Sequence, residues 1–255
     1  MNTKLTSSTS NGHNVNMMLA AGAPTPNAST DGIALDSAAV SRGNGIGAVS
    51  EVYLMDCIVG MKHYPDKYFD LAVVDPPYGL MDRMYNGGNR NRSTVKFKKH
   101  IREKRWDMSI PSIMYFSELF RVSKHQVIWG GNYFDLPPSR TFIVWDKMVY
   151  APTMSQVEMA WTSYDSPARL IKINNNDVNR FHPTQKPVKL YDWIFKNYSE
   201  PTFKILDTHL GSGSSRIAAH KAGLHFVGFE VDEEYYYAQE IRFKNYQSQL
   251  TLFQK

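Results

Sequence analysis

Apolar residues along most of the chain fall into short runs that alternate with helical repeats. The four consecutive apolar residues from Leu71 to Val74 are typical of a strand covered on both faces, and Phe226 to Phe229 form a similar run. Apolar side chains recur at helical spacing after Pro111 and after Pro187, where a proline fits the first helical turn. This alternation predicts an α/β fold.

Three further strands are predicted in the middle of the chain, with no long helix between them. They are Gln126 to Trp129, Thr141 to Trp145 and Glu158 to Thr162. Closely spaced strands without long helices between them are typical of antiparallel pairing. The sheet is therefore predicted to be mixed, with an antiparallel end.

The first 48 residues differ from the rest in composition. They are rich in Asn, Ser, Thr, Ala and Gly without sustained periodicity, which predicts a disordered leader. An apolar patch from Met17 to Ala23 resembles a signal peptide only faintly, because Lys4 is the one Lys or Arg residue before it. We interpret residues 1–48 as a leader and residues 49–255 as one globular domain.

The composition indicates one sizeable core in a reducing compartment. A chain of 255 residues with 42% hydrophobic content can bury one large core. No apolar run approaches the length of a membrane span, and the single cysteine, Cys57, excludes a disulfide framework or a cysteine-based zinc site. The sequence therefore predicts a cytoplasmic protein without a metal site and without a membrane partner.

The net charge of +5 is concentrated in one segment. Residues 79–106 contain nine Lys or Arg residues against two acidic ones, so the rest of the chain is net acidic. A run of charged residues is usually only a solvated surface. This one directly follows residues 75–78, a candidate reactive turn that is described below, and that position favours contacts with nucleic-acid phosphates. The candidate phosphate-binding residues are Arg90, Arg92, Lys96, Lys98, Lys99 and Arg105.

A second polar segment, residues 163–181, is interpreted as a small insertion. It carries Asn175 and Arg180, and these two residue types recognise adenine and guanine edges in DNA. The segment is a candidate target-recognition element, and a polar surface loop is an equally good interpretation.

The strand from Leu71 to Val74 runs into Asp75, Pro76, Pro77 and Tyr78. A proline pair cannot continue a central strand, so the backbone leaves the sheet here, at the kind of strand end where α/β sheets bind ligands. Two prolines leave carbonyl oxygens without competing N–H donors, while Asp75 adds a charged acceptor and Tyr78 a flat ring. Such a site suits a planar ligand with an NH₂ group, such as adenine or cytosine.

This Asp-Pro-Pro-Tyr sequence resembles the catalytic motif of the amino-methylating DNA methyltransferases, which move a methyl group from S-adenosylmethionine to adenine N6 or cytosine N4. The segment from His182 to Pro187 resembles the family's second motif, which borders the methionine half of the cofactor. The order of the motifs is that of the permuted β group, over about residues 51–246. The resemblance implies a Rossmann-like fold, with a mixed seven-stranded sheet and helices on both faces.

The resemblance also implies the cofactor-binding residues. A glycine turn that opens a helix brings backbone N–H groups near an anion, here the cofactor carboxylate, and Glu230 lies where a ribose-binding acid is expected. The third glycine of a dinucleotide fingerprint and a phosphate-binding Gly-Lys-Ser/Thr loop are both missing, which disfavours NAD and ATP. The implied residues are Asp56, Cys57, Thr184, Gln185, Lys186, Asp207, Gly211, Gly213, Ser214 and Glu230. For Asp56, a simple helix cap is nearly as good an interpretation.

One stretch departs from the family pattern. The family commonly has Asp-Pro-Phe before its Gly-x-Gly, whereas Asp207 is followed here by Thr208, His209 and Leu210. The resemblance implies methylation of a flipped adenine in double-stranded DNA, because the related cytosine enzymes usually carry Ser in the place of Asp75. Cytosine N4 methylation and an inactive DNA-binding relic are the alternatives. The recognition sequence, a companion restriction enzyme and the oligomeric state, including a homodimer, stay open.

Overall fold

The computed structural model describes residues 38–42, 48–80, 110–150, 155–175, 180–182 and 184–253. The strands of this part are β1 (Ala38–Arg42), β2 (Val49–Leu54), β3 (Phe69–Val74), β4 (Ser123–Trp129), β5 (Phe142–Asp146), β6 (Val157–Thr162), β7 (Arg169–Lys172), β8 (Lys204–Asp207) and β9 (His225–Glu230). Its α-helices are α1 (Cys57–Met61), α2 (Ile113–Val122), α3 (Val188–Tyr198), α4 (Ser214–Lys221) and α5 (Glu233–Phe253). No helix in these ranges is long and apolar enough to cross a membrane.

The strands form one mixed sheet in the order β1-β2-β9-β8-β3-β4-β6-β5-β7. From β2 to β4 each strand is parallel to its neighbour, whereas β6 pairs antiparallel with both β4 and β5. The predicted α/β fold and its antiparallel end are confirmed. The predicted number of seven strands is wrong, because the described residues contain nine.

The two additional strands lie at the edges of the sheet. β1 pairs antiparallel with β2 inside the range predicted as a leader, and β7 pairs parallel with β5 inside the range predicted as an insertion. Neither has enough apolar periodicity to indicate a strand, since an edge strand satisfies its backbone hydrogen bonds on one neighbour and need bury little apolar surface. The rest of the predicted leader, residues 1–37 and 43–47, lies outside the described residues.

The central strands are buried on both faces, as their continuous apolar sequences predict. Leu71 and Val73 of β3 belong to a core cluster with Leu190 and Ile194 of α3. Ala72 and Val74 of β3 point to the opposite face and are also buried. The candidate catalytic turn, residues 75–78, therefore follows a buried strand in the middle of the sheet.

Parallel pairing brings four acidic residues together at the carboxyl ends of neighbouring strands. Asp56 follows β2, Glu230 ends β9, Asp207 ends β8, and Asp75 follows β3. These four strands are consecutive neighbours in the sheet, so their carboxyl ends lie side by side. Residues far apart in the sequence thereby come together at the carboxyl ends of neighbouring strands, and three of them, Asp56, Asp75 and Glu230, line one cleft.

Candidate active site

The turn after β3 is held together by its own side chains. The Tyr78 hydroxyl donates a hydrogen bond to Asp75 Oδ1 at 2.5 Å. Burial raises the pKa of Tyr78 well above its usual range, so the hydroxyl keeps its proton and acts as a donor. One oxygen of the Asp75 carboxylate is thus already engaged within the turn.

The other Asp75 oxygen accepts a hydrogen bond from a buried lysine. Lys186 Nζ lies 2.5 Å from Asp75 Oδ2 and 3.1 Å from an oxygen of Glu158. Glu158 is in turn paired with Lys147 at 3.1 Å. The ion pairs form a chain of alternating charge that ends at the candidate catalytic carboxylate.

The sheet topology explains why Glu158 lies beside the catalytic turn. Since β6 runs antiparallel to β4, its first residues lie at the edge where β4 ends, and Trp129 pairs with Ala160. Lys186 comes from the segment just before α3, and its ammonium lies 5.2 Å from the centre of the Trp129 ring. Only 3% of the Lys186 side chain is exposed, so its charge depends on carboxylate partners rather than on water.

The pKa shifts along this chain follow from burial and from the partners. Burial is the largest influence on the pKa of Asp75 and raises it, although the Lys186 ammonium opposes this effect. Burial disfavours the charge on Lys186, but Asp75 and Glu158 outweigh it and raise the lysine pKa. Glu158 is also desolvated, yet its two lysine partners lower its pKa. Lys186 is therefore the group that favours ionised carboxylates on both sides.

The Tyr78 ring packs on an aromatic residue that the sequence analysis did not select. Its ring is stacked on that of Tyr133, with centroids 5.0 Å apart and planes inclined by 19°. The edge of Phe134 approaches the Tyr78 ring at 6.1 Å. Tyr133 is 41% exposed, so this aromatic stack borders solvent next to Asp75.

A cleft of about 880 Å³, counting the space at its open mouth, joins the candidate catalytic turn to the glycine turn, residues 211–215. Asp75 and Pro77 line one side of it. The predicted cofactor residues among its lining are Asp56, Cys57, Thr184, Gln185, Lys186, Gly211 and Glu230. Seven of the ten implied cofactor residues and two of the four catalytic ones therefore meet at one cavity.

The glycine turn is fixed by Glu230 itself. The backbone N–H of Gly211 donates to Glu230 Oε2 at 2.8 Å, and the N–H groups of Val231 and Asp232 donate to Oε1. Burial raises the pKa of Glu230, and these backbone hydrogen bonds oppose that shift. The anion beside the Gly211 N–H group is thus the protein's own carboxylate, which also lines the cleft.

Asp56 has the helix-cap role that the sequence left open as an alternative. Its Oδ1 accepts hydrogen bonds from the N–H groups of Ile58 and Val59 at the start of α1. Asp56 also lines the cleft, so capping and cofactor binding are compatible at this position. Burial raises the pKa of the neighbouring Cys57 thiol to about 12, which makes it an unreactive wall residue.

Three implied cofactor residues lie behind the cleft rather than in its lining. Asp207 is buried and accepts hydrogen bonds from the Ser215 hydroxyl and the His209 N–H group. Gly213 has a φ of +71° at the start of α4, and Ser214 is hydrogen-bonded to Arg242. These residues therefore support the glycine turn without lining the cleft.

In the stretch that departs from the family pattern, Thr208 and His209 both contact an aromatic residue of α2, Tyr115. The Thr208 and Tyr115 hydroxyls are hydrogen-bonded at 2.7 Å, and His209 packs edge-on against the Tyr115 ring at 5.3 Å. Burial lowers the pKa of His209 to about 4, so the ring is neutral near pH 7. A neutral histidine with an aromatic neighbour therefore forms the cleft wall at this point.

The predicted DNA-contacting residues are only partly described. Asn175 is half-buried, and the Arg180 guanidinium donates to the backbone oxygen of Gln185 at 2.9 Å. This bond attaches the end of the proposed recognition segment to the cofactor side of the cleft. The basic candidates of residues 79–106, which are Arg90, Arg92, Lys96, Lys98, Lys99 and Arg105, lie outside the described residues.

Glu158 and Tyr133 are the main site residues that sequence reasoning missed. Glu158 is the second residue of an antiparallel strand, and a charged residue at a strand start is an ordinary surface pattern. The available signal was the predicted antiparallel end of the sheet, which brings the start of β6 to the catalytic edge. Tyr133 follows Gly130 and Gly131, and a glycine pair after a buried strand indicates a close approach of backbone and ligand or side chain.

Comparison with known proteins shows which family part of this chain resembles. Residues 144–240 match a family model, N6_N4_Mtase, described as DNA methylase. This part of the chain is therefore similar to a family of DNA methylases. The resemblance seen in the two sequence motifs is thereby confirmed. The methylase match includes Glu158, Lys186 and the glycine turn, whereas Asp75 precedes it.

Two relatives and one solved structure are similar to this chain. The chain is 25% identical to the putative methylase YubD of Escherichia coli K12, over 73% of this chain and 87% of that protein. It is 38% identical over 64 residues to the type II methyltransferase M1.MboII of Moraxella bovis, a quarter of each chain. The PvuII DNA methyltransferase, which is cytosine-N4-specific, has the same fold at 15% identity, with a TM-score of 0.54 over 76% of this chain and 86% of that one.

Proposed function

We propose that this domain transfers a methyl group from S-adenosylmethionine to the exocyclic N6 of adenine in DNA. The observation that carries the proposal is the shared cleft, in which Asp75 and the Gly211 turn line one cavity. The family match supports S-adenosylmethionine as the methyl donor and DNA as the substrate.

The residues of the cleft suit the proposed cofactor. Its polar and carboxylate groups, among them Asp56 and Glu230, offer acceptors for amino and hydroxyl hydrogens, and Tyr235 and Phe229 offer flat apolar surface. Bound there, the cofactor would supply a methyl group already activated as an electrophile on a positively charged sulfur. Catalysis by the protein then consists mostly of positioning.

Asp75 and Tyr78 supply what the target base needs. The amino lone pair of adenine is delocalised into the ring, and a carboxylate that accepts an amino hydrogen favours its localisation on nitrogen. Each oxygen of Asp75 has two lone pairs, so it can accept this hydrogen bond beside those from Tyr78 and Lys186. The Tyr78 ring has the flat face on which an extruded base stacks.

Adenine is preferred to cytosine because Asp75 occupies the position where the related cytosine enzymes usually carry serine. Genomic DNA from cells that lack the protein, incubated with it and S-adenosylmethionine carrying a tritiated methyl group, would be digested to nucleosides and separated. We expect the label in N6-methyladenine, with Asp75→Asn as the inactive control. Label in N4-methylcytosine would replace the adenine proposal, and the absence of label in any nucleoside would indicate a relic.

A further inference from the structure

Lys186 has contacts that differ from the role implied by family resemblance. The resemblance places it against the cofactor, whereas its ammonium lies 2.5 Å from Asp75 and 3.1 Å from Glu158. It also lies 3.4 Å from the Tyr78 hydroxyl. All three contacts are with the catalytic side of the cleft.

We propose that Lys186 is a positioning residue for Asp75, which it holds as an ionised carboxylate in one orientation, with Glu158 as the counter-charge that keeps the lysine in place. This proposal rests on the proposed function only through the catalytic role of Asp75. It also gives Glu158 a positioning role, through Lys186, that the sequence did not indicate.

The chemistry explains why the charge of Asp75 needs support. During transfer the amino nitrogen forms a bond to the methyl carbon, the carbon–sulfur bond breaks, and its electron pair stays on sulfur. The nitrogen then gives up one proton, and the positive charge leaves with it. A carboxylate can accept hydrogen bonds throughout and can take that proton, whereas a neutral carboxylic acid presents its own proton to the amine.

Lys186 is the cation in contact with Asp75 among the described residues. The other ionisable groups that influence Asp75 are Glu158 on β6 and the Tyr78 hydroxyl within the turn. Asp75 in turn acts on the more distant Tyr115 of α2, Tyr191 of α3 and Asp207 of β8. Lys147 forms an ion pair with Glu158, on the far side of that carboxylate from Lys186 and Asp75 in the chain of ion pairs. The negative charge of Asp75 is therefore favoured by one cation, Lys186, and disfavoured by a second acid, Glu158.

The geometry predicts opposite effects for the two partners. Without Lys186, the pKa of Asp75 rises, because burial and Glu158 both disfavour its charge. Glu158→Gln keeps a side-chain oxygen that can accept a hydrogen bond from Lys186 but removes the negative charge, so the pKa of Asp75 falls. A residue that merely supports the fold would change the amount of active protein without moving the two titrations in opposite directions.

The test is the pH profile of single-turnover methyl transfer to genomic DNA, with tritium label in the cofactor methyl group. We expect the acid limb of Lys186→Met to move upward by about one to three pH units, from the usual influence of an adjacent opposite charge on a carboxyl. Glu158→Gln should move the limb to lower pH, and Lys186→Arg, which keeps the cation, should stay near the native profile. Lys189→Met is the matched control, since it removes an exposed lysine three residues away.

A second measurement reads Asp75 without any turnover. Aspartate labelled with carbon-13 at the carboxyl carbon would be titrated by NMR, with the Asp75 signal assigned from its loss in Asp75→Asn. Equal titration of Asp75 in the native protein, Lys186→Met and Glu158→Gln would overturn the proposal. If Lys186→Met does not fold, Glu158→Gln alone decides, because its expected shift has the opposite sign.

Calorimetry with S-adenosylmethionine distinguishes the cofactor role. If Lys186→Met loses cofactor affinity while the titration of Asp75 is unchanged, Lys186 binds the cofactor and does not position Asp75. If the native protein transfers no label to DNA, the proposed function fails, and the NMR titration still decides whether Lys186 controls Asp75.

Discussion

Residue 130 and Tyr78 are in such close contact that only glycine fits beside the tyrosine ring. A Cβ atom built on Gly130 would lie 2.2 Å from Tyr78 Cε1, well inside van der Waals contact. Gly130 also has a φ of +69°, which disfavours other residues. The turn after β4 thus leaves the space that the Tyr78 ring occupies.

Gly130→Ala should therefore displace Tyr78 and abolish methyl transfer. Gly223→Ala provides a control, since Gly223 has nearly the same φ, +68°, with open space where a Cβ would stand. Both variants should lose about 1–2 kcal/mol of unfolding free energy from the backbone conformation. Only Gly130→Ala should lose activity, as measured by label transfer at saturating cofactor. Equal activity losses would show that strain, and not the ring contact, controls catalysis.

The ring face and the hydroxyl of Tyr78 should contribute separately. Tyr78→Phe keeps the ring and should retain much of the transfer rate, whereas Tyr78→Ala should reduce it strongly, because base–aromatic stacking is worth about 1–3 kcal/mol. Tyr133→Ala, which removes the stacked neighbour, should weaken DNA binding while leaving cofactor affinity unchanged. Gel-shift titration with calorimetry separates the two affinities. A Tyr78→Ala rate equal to that of Tyr78→Phe would exclude stacking.

Glu230→Gln should weaken cofactor binding. The carboxylate accepts three backbone N–H groups and fixes the Gly211 turn, and an amide cannot accept on both of its atoms. A hydrogen bond to a charged group contributes about 1.5–3 kcal/mol, so affinity should fall roughly tenfold to a hundredfold in calorimetry. Glu233→Gln, at an exposed position on α5, is the control. Unchanged affinity in Glu230→Gln would place the cofactor elsewhere.

Asp207 should make the fold less stable at higher pH. Burial raises its pKa to about 7 in the folded protein, above the ordinary value of a carboxyl in an unfolded chain. Between these two values the unfolded state binds fewer protons, so its contribution to stability falls as pH rises, at up to about 1.4 kcal/mol per pH unit, and levels off above pH 7. In urea unfolding, Asp207→Asn should gain stability relative to the native protein from pH 5 to pH 8. A constant difference would contradict the raised pKa.

The basic run of residues 79–106 should bind DNA phosphates without regard to sequence. Replacing Lys96, Lys98 and Lys99 together by alanine should weaken binding to all DNA sequences and flatten the salt dependence by about 0.9 logarithmic units per lost phosphate contact. The charge-matched control replaces three exposed lysines, Lys189, Lys196 and Lys244. Equal salt slopes for both triple variants would make the basic run an ordinary solvated surface.

The sequence was sufficient to predict elements whose structure is determined locally. The apolar run before Asp75 and the proline pair after it place the end of β3 at the observed residue. Asp232 directly before Glu233 and Glu234 is a sequence typical of a helix start, and its Oδ1 accepts hydrogen bonds from the N–H groups of Glu234 and Tyr235. In each case the deciding interactions lie within a few residues of one another.

Long-range pairing determines what the sequence did not reveal. β1 and β7 become strands through a neighbour already in the sheet, and Glu158 reaches Lys186 only through the antiparallel register of β6. Motif comparison assigned Lys186 to the cofactor, whereas its nearest groups are two carboxylates. A motif specifies residue types but not which of two adjacent ligand sites a long side chain reaches.

The order of the strands also has a consequence for synthesis on the ribosome. β2 pairs with β9, and β3 pairs with β8, although more than a hundred residues separate each pair in sequence. The centre of the sheet therefore stays incomplete until residues 204–230 have left the exit tunnel, and the exposed edges of β2 and β3 are open to wrong partners until then. A nascent chain stalled before β8 should require chaperones, and the candidate catalytic turn can reach its final surroundings only after residues 204–230 have been made.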